Sequence, residues 1–338
     1  MGKQAGSDDR FSRIRQRRVG MLLLLLDLLI VSVMLCVFIG YAGMSVSDPL
    51  IVQIIGAIRL PRVLLAGLVG AGLACAGMAM QAVFRNSMAD PFIIGVSSGA
   101  AVGAAAIGMI GAGIGIGGIL LSFTQPMFAF LGAIITVFAV YKLGTAKGKV
   151  HVDTLLLSGV AVAAFLGAMT SFMIFVANKQ YDILAHWLLG SLQATNWIEV
   201  GITAFPVIIG ILIIFYYGRD LNVLLLGEEA AHNLGGNPES LKKTMLAVAA
   251  IMTSVAVAFT GIIGFVGLMI PHMMRLVVGP DHRMLAPASV LGGASFLIWA
   301  DALSRSVMMV PVGVVTALLG GPFFLFLLRR KKLRGDGE

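Results

Sequence analysis

Arg59, Arg62, Asp301 and Arg305 are the residues least in keeping with their surroundings. Arg59 and Arg62 flank Pro61 at the start of one long apolar run. Arg305 follows Asp301 by four residues at the end of another, the spacing at which two side chains pair along a helix. A guanidinium beside so much hydrocarbon either snorkels to the nearest water or meets an acidic partner. The second constellation is Gly227-Glu228-Glu229-Ala230-Ala231-His232-Asn233-Leu234-Gly235. Glycines bracket it, and glutamates fill its first turn, where the helix dipole favours them. It reads as a short helix within the longest polar stretch between apolar segments, residues 219–242. Such a compact helix is either a solvated connector or a feature that a soluble partner grips.

Other patterns carry less. Gly113, Gly115 and Gly118 satisfy G-x-G-x-x-G, but that fingerprint needs a preceding strand and a following helix. Here it falls between two apolar segments and reads as a flexible loop. The chain has no Walker A sequence, so it has no ATP site of the usual kind. None of His151, His186, His232, His272 and His282 pairs with a His, Cys or carboxylate at ligand spacing, and solvated or hydrogen-bonded roles are expected. No metal site and no cofactor are expected. Cys36 and Cys75 lie in apolar segments as packing residues and do not report a redox compartment. Asp27 lies about two turns into the first apolar run. With no partner at matching depth in other helices, it reads as an interfacial or helix-facing structural residue rather than a proton carrier.

The elements that position these residues are membrane helices. Of 338 residues, 59% are hydrophobic and 12% are charged, against about 25% charged in soluble proteins. The net charge of +8 does not point to nucleic acid, because the basic residues sit in short clusters between apolar runs, as a topology signal does. Arg13, Arg15, Arg17 and Arg18 before Leu22 could open a signal peptide. The apolar stretch continues to about Tyr41 with no convincing cleavage site, so a retained first helix is expected.

About 20 apolar residues cross a bilayer. Nine stretches qualify: 20–43, 60–82, 92–110, 119–142, 152–176, 196–217, 243–262, 284–303 and 312–328. Residues 264–278 are apolar but short and interrupted by Pro271. Both tails are basic, so both belong in the cytoplasm and the number of crossings must be even. Counting 264–278 gives ten. All but four of the 24 Lys and Arg residues are then cytoplasmic, the exceptions being Arg59, Arg62, Lys179 and Arg305. The expectation is an all-α integral membrane protein with a cytoplasmic tail at 1–19, a ten-helix domain at 20–328 and a second tail at 329–338. Gly95, Gly99 and Gly103 should line one face of the third helix for close packing. Residues 181–191 should form a half-helix at the outer surface, anchored by Trp187.

With these motifs in order, the chain resembles the permease subunits of binding-protein-dependent ABC importers for iron–siderophore complexes, haem and vitamin B12. The resemblance runs from about Arg59 to Leu328. It rests on Arg59-Leu60-Pro61-Arg62, Gln81-Ala82-Val83-Phe84-Arg85-Asn86 with Ala89-Asp90-Pro91, Gly95-Val96-Ser97-Ser98-Gly99-Ala100, and Gly227-Glu228-Glu229-Ala230 with Leu234-Gly235. Further along stand Gly264-Phe265-Val266-Gly267-Leu268 with Pro271-His272 and Arg275, Asp301 with Arg305, Pro311-Val312-Gly313, and Gly320-Gly321-Pro322-Phe323-Phe324.

The resemblance implies a two-fold permease dimer, either a homodimer or a pseudo-symmetric heterodimer. It also implies two ATPase subunits on the cytoplasmic face and an external substrate-binding protein, with no catalytic site in this chain. It assigns Glu228, Glu229, Ala230, Leu234 and Gly235 to the coupling helix that sits in a cleft of the ATPase. Arg59, Arg62 and Arg305 would meet acidic residues of the binding protein, and Asn86 to Met88 would lie near the cytoplasmic gate. The family commonly reads Asn-Pro-Leu there, whereas this chain reads Asn86-Ser87-Met88, which should relax the turn and soften its plug. The competing class is a stand-alone ion-coupled carrier or channel, which would need ionisable residues along a pathway inside the membrane. Almost none are present.

Overall fold

The computed structural model describes residues 2–39, 51–113, 119–177, 181–192, 195–308 and 310–335. The chain is helical almost throughout. Helix α1 (Gly2–Phe38) is followed by α2 (Ile51–Ile54), which passes through a π-helical turn, Ile55–Arg59, into α3 (Leu60–Val83). Then come α4 (Val96–Gly113), α5 (Ile119–Leu143), a two-residue hairpin of β1 (Thr145–Ala146) and β2 (Lys149–Val150), α6 (Val152–Ala177) and the short α7 (Tyr181–Leu188). The second half holds α8 (Trp197–Tyr216), α9 (Gly218–Leu224), α10 (Glu228–Asn233), α11 (Pro238–Thr260), α12 (Val266–Val278), α13 (His282–Leu303) and α14 (Val312–Gly335).

Seven helices among the described residues are long and apolar enough to cross a membrane, and three shorter apolar helices lie at 96–110, 266–278 and 312–327. Together they make the ten expected from charge parity, and the Pro271 segment is one of them. Burial separates an axle from a periphery. Helix α3 has 83% of its apolar window enclosed, whereas α6 has 11%. The peripheral helices turn Leu24, Phe138, Phe172 and Phe205 outward. Apolar surface on that scale is untenable in water and marks the lipid- and partner-facing skin.

Small residues let the axle form. A Cβ on Gly70 would come within 2.2 Å of the Gly293 carbonyl oxygen, and one on Gly77 within 1.9 Å of that of Gly267. These glycines seat α3 directly on α13 and α12, as membrane helices do when small residues recur on one face. Pro271 cannot donate to Gly267, the acceptor four residues back. Buried Gln81 of α3 fills that vacancy, its Nε2 donating to Gly267 O at 3.4 Å and Leu268 O at 3.1 Å. Arg275 in turn donates to Gln81 Oε1 at 3.1 Å. The proline turn of α12 is therefore stabilised from α3.

Three sequence expectations change. The third crossing does not start at residue 92: Pro91–Ile94 is a separate 3₁₀ turn, and Gly95, at φ 82°, breaks the chain before α4. Gly99 and Gly103 do pack on α5, against Gly132 and Phe128, while Gly95 acts as a left-handed corner beside Thr136. Helix α1 begins at Gly2 and α14 continues to Gly335, so the basic segments at the two ends are helical extensions of the first and last apolar helices. Gly113 closes α4, while Gly115 and Gly118 lie outside the described residues.

Candidate coupling and gating elements

The glycine-bracketed helix forms as expected. Gly227 (φ 112°) and Gly235 (φ 82°) take backbone conformations that favour glycine, and α10 spans the six residues from Glu228 to Asn233 between them. Ala231 is buried and seats α10 on the bundle. Glu229, His232, Leu234 and Gly235 are exposed, and Ala230 is half-buried. Leu225, Leu226 and Leu234 present bare side chains around this polar loop. The preceding α9 is fixed to α13: Asn222 Nδ2 donates to Asp281 Oδ1 at 2.7 Å, and Asn222 Oδ1 accepts from His282 N at 2.8 Å. Its Oδ1 also lies 2.8 Å from His282 Nδ1, so this buried histidine is hydrogen-bonded rather than solvated. Hydrogen bonds from Asn222 and the Arg283 N–H, with the positive charge of Arg283 and Arg18, outweigh partial burial and hold the Asp281 carboxyl below its ordinary range.

The anchor of α10 is Lys242, which sequence reasoning counted only as a topology charge. Its side chain is 1% exposed. Nζ donates to Glu228 Oε2 at 3.1 Å, to Val150 O at 3.2 Å and to Glu239 Oε1. Glu239 Oε2 accepts from Val150 N at 2.9 Å. One ammonium thus joins α10, the start of α11 and the β-hairpin. Its neighbour Lys243 reaches only Gly148 O, at 2.7 Å in an exposed bond. Adjacent lysines in a polar loop are identical as sequence, so no sequence signal distinguished the two.

The Asn86–Met88 turn lies at the same end of the bundle. Asn86 Oδ1 accepts from Met88 N at 3.0 Å, and Ala89 N donates to Asn86 O at 3.1 Å. This side-chain-closed turn pins the segment without a proline. Asp90 caps the next turn, its Oδ1 accepting from Phe92 N at 2.8 Å. Burial outweighs that bond and pushes the Asp90 carboxyl from 3.8 up to about 6. A folded-state value above the unfolded one means this group's contribution is full below about pH 4 and is lost as pH rises through about 6. The thermal midpoint of the wild type in detergent, measured relative to Asp90→Asn, should therefore fall between pH 4 and 6 and level off above 7. A flat difference across that window would refute the assignment.

At the opposite end, Arg59, Arg62 and Arg305 come together with Asp301, as the i,i+4 spacing of the last two suggested. Arg62 grips Asp301 with two nitrogens, Nε at 3.1 Å from each carboxylate oxygen and a terminal nitrogen at 2.8 Å from Oδ1. Arg305 Nε lies 3.0 Å from Asp301 Oδ2. The remaining donors of Arg305 reach Ile39 O at 3.1 Å and Cys36 O at 3.2 Å, and Arg59 donates to Phe38 O at 3.1 Å. The last carbonyls of a helix have no partner within the helix itself. Two arginines from elsewhere in the chain supply partners here, and each comes from a π-helical turn, Ile55–Arg59 or Ser304–Met308. Asp301 is 1% exposed, so the cluster is a buried ionic clamp on the end of α1.

Asp27 faces outward on α1 instead of packing against a neighbouring helix of this chain. Among the described residues, no three His, Cys, Asp or Glu side chains could hold a metal ion. The helix count, apolar outer skin and polar clusters at the bundle's ends define an integral membrane protein. The sequence matches the model of the FecCD transport family over residues 24–330, and the chain belongs to that family. It is 48% identical over 282 residues, 83% of this chain and 74% of the relative, to the cobalamin import system permease protein of Halobacterium salinarum. It is 38% identical over 293 residues, 83% of this chain and 84% of the relative, to the hemin transport system permease protein of Yersinia pestis. A solved metal-chelate type ABC transporter in an inward-facing conformation superposes with a TM-score of 0.83 at 29% identity. The match covers 92% of this chain and 99% of that one.

Proposed function

We propose that this chain is the permease subunit of an ATP-driven importer for a metal chelate of the cobalamin, haem or iron-chelate class. It works in the cytoplasmic membrane with both termini inside, as one of a pair. The supporting observation is α10, a short solvent-facing helix ringed by exposed leucines and anchored to the bundle by Lys242. A lipid-embedded protein has no folding reason to present Leu225, Leu226 and Leu234 on a polar loop, whereas a cytoplasmic ATPase subunit has a reason to grip them. Glu228, Glu229, Ala230, Leu234 and Gly235 are then the coupling surface, and Asn86 and Met88 stand at the inner gate. An external binding protein docks on the rim held by Arg59, Arg62 and Arg305. Their guanidinium groups are mostly engaged internally, with side-chain exposures of 15% for Arg62 and 10% for Arg305, so their chief part in docking is to shape that rim. Cargo passes along the axis between the two permeases.

Liposomes carrying the permease with its ATPase and binding protein should take up radiolabelled cyanocobalamin, haemin or a ferric siderophore only when ATP is supplied. Leu234→Glu should leave the permease folded and abolish its co-purification with the ATPase. Uptake by the permease alone, driven by an ion gradient, would refute the proposal.

A further inference from the structure

We propose that Arg85 is a positioning residue that links α10 to the gate turn, so that movement of α10 reaches Asn86–Met88 through an ion pair. This rests on the reading of α10 as the coupling helix. The first observation is a backbone anomaly. Helix α3 ends in a turn in which Asn86 N donates to Gln81 O at 3.1 Å and Arg85 N to Ala82 O at 3.2 Å. Helices that end this way usually place glycine at the left-handed position. Arg85 occupies it at φ 47°. Among the described residues, seven glycines (Gly95, Gly148, Gly190, Gly227, Gly235, Gly261 and Gly279) take positive φ, and besides Arg85 two other side-chain-bearing residues do so, Lys147 at φ 52° and Phe265 at φ 68°. Arginine here is strained, and a strained backbone calls for a reason in its side chain.

The second observation is where that side chain goes. The Arg85 guanidinium lies 3.8 Å from Glu228 Oε1, while the other oxygen of the same carboxylate is 3.1 Å from the buried Lys242. Glu228 is therefore held between a cation on the gate turn and a cation on α11. Packing does not make this connection. A polar cavity of about 350 Å³ lies between the elements, lined by Phe84, Arg85, Val150, Asp153, Glu228 and Glu239. Both partners of the Arg85–Glu228 pair are almost half exposed, at 47% and 42%, so the pair adds little to stability. Stability thus gives no account of the strained arginine, whereas transmission does. The turn beyond it is closed by its own hydrogen bonds, so a pull on Arg85 is carried to Met88 as a rigid piece.

The test uses the full complex in liposomes. Cys36 and Cys75 are buried, so a nitroxide placed at exposed Ser87 by Ser87→Cys reports the gate turn. Distances between labels on the two permeases are measured with and without a non-hydrolysable ATP analogue, alongside cyanocobalamin uptake and ATP hydrolysis. Arg85→Gly relieves the backbone strain and should fold at least as well as the parent. It should nevertheless lose the nucleotide-linked distance change and cut uptake roughly two- to thirty-fold, with ATP hydrolysis within about twofold of the parent on the same coupling arithmetic. Arg85→Lys, which keeps the charge, should retain both. Equal behaviour of Arg85→Gly and Arg85→Lys, in either direction, would overturn the proposal. No nucleotide-linked change in the Ser87→Cys parent would instead refute the coupled-importer reading beneath it.

Discussion

Asp301→Asn should destabilise the detergent-solubilised permease by about 3–5 kcal/mol, because it leaves two buried guanidinium groups facing each other without their shared anion. That corresponds to a fall of roughly 4–7 °C in thermal midpoint for a chain of this size. The effect should also have a location. Arg305 and Arg59 hold the last carbonyls of α1, and Cys36, fully buried, lies in that last turn. A loosened clamp should expose Cys36 to maleimide while Cys75, deep in α3, stays protected. Combining Arg62→Met with Asp301→Leu removes a complete pair and should recover part of the lost stability, since absent charges need no partners. Cys36 protection unchanged in Asp301→Asn would show that α1 is held by its apolar face alone.

Lys242→Met should act at the other end with similar energy and a different outcome. Removing the ammonium leaves Glu228 and Glu239 without their shared cation and Val150 O without a donor. A local loss of ~3 kcal/mol lowers amide protection about 100-fold. Hydrogen exchange should show that loss jointly in 145–150 and 227–239, with the α3 and α13 amides unchanged. Lys243→Met, which removes one exposed bond, should cost less than about 1 kcal/mol. Loss of protection in only one of the two segments would refute the picture of a single hub.

The residues that frame these tests were legible in the sequence to different degrees. Asp301 and Arg305 declared themselves by spacing and by their place outside the positive-inside pattern, and α10 by its glycine brackets and first-turn glutamates. Lys242 and Gln81 did not. Their weight comes from groups far away in the chain: Gln81 serves carbonyls orphaned by Pro271, and Lys242 serves a carbonyl of the hairpin. The docking expectation for the arginines also looked different without tertiary contacts, because no local pattern reveals that the end of α1 runs past them.

By itself the sequence determined membrane residence, ten apolar helices including the short Pro271 segment, and the short glycine-bracketed helix at 228–233. Each of these depends on composition, charge parity or local backbone preference, all short-range in the chain. Only the tertiary structure decided which helices form the axle, which charges are buried and what they hold. Those answers depend on partners brought together across hundreds of residues, as when Arg62 meets Asp301. Arg59, Arg62 and Arg305 began as isolated charges at the edge of the membrane, and the fold assembles them into the clamp that fixes the end of its first helix.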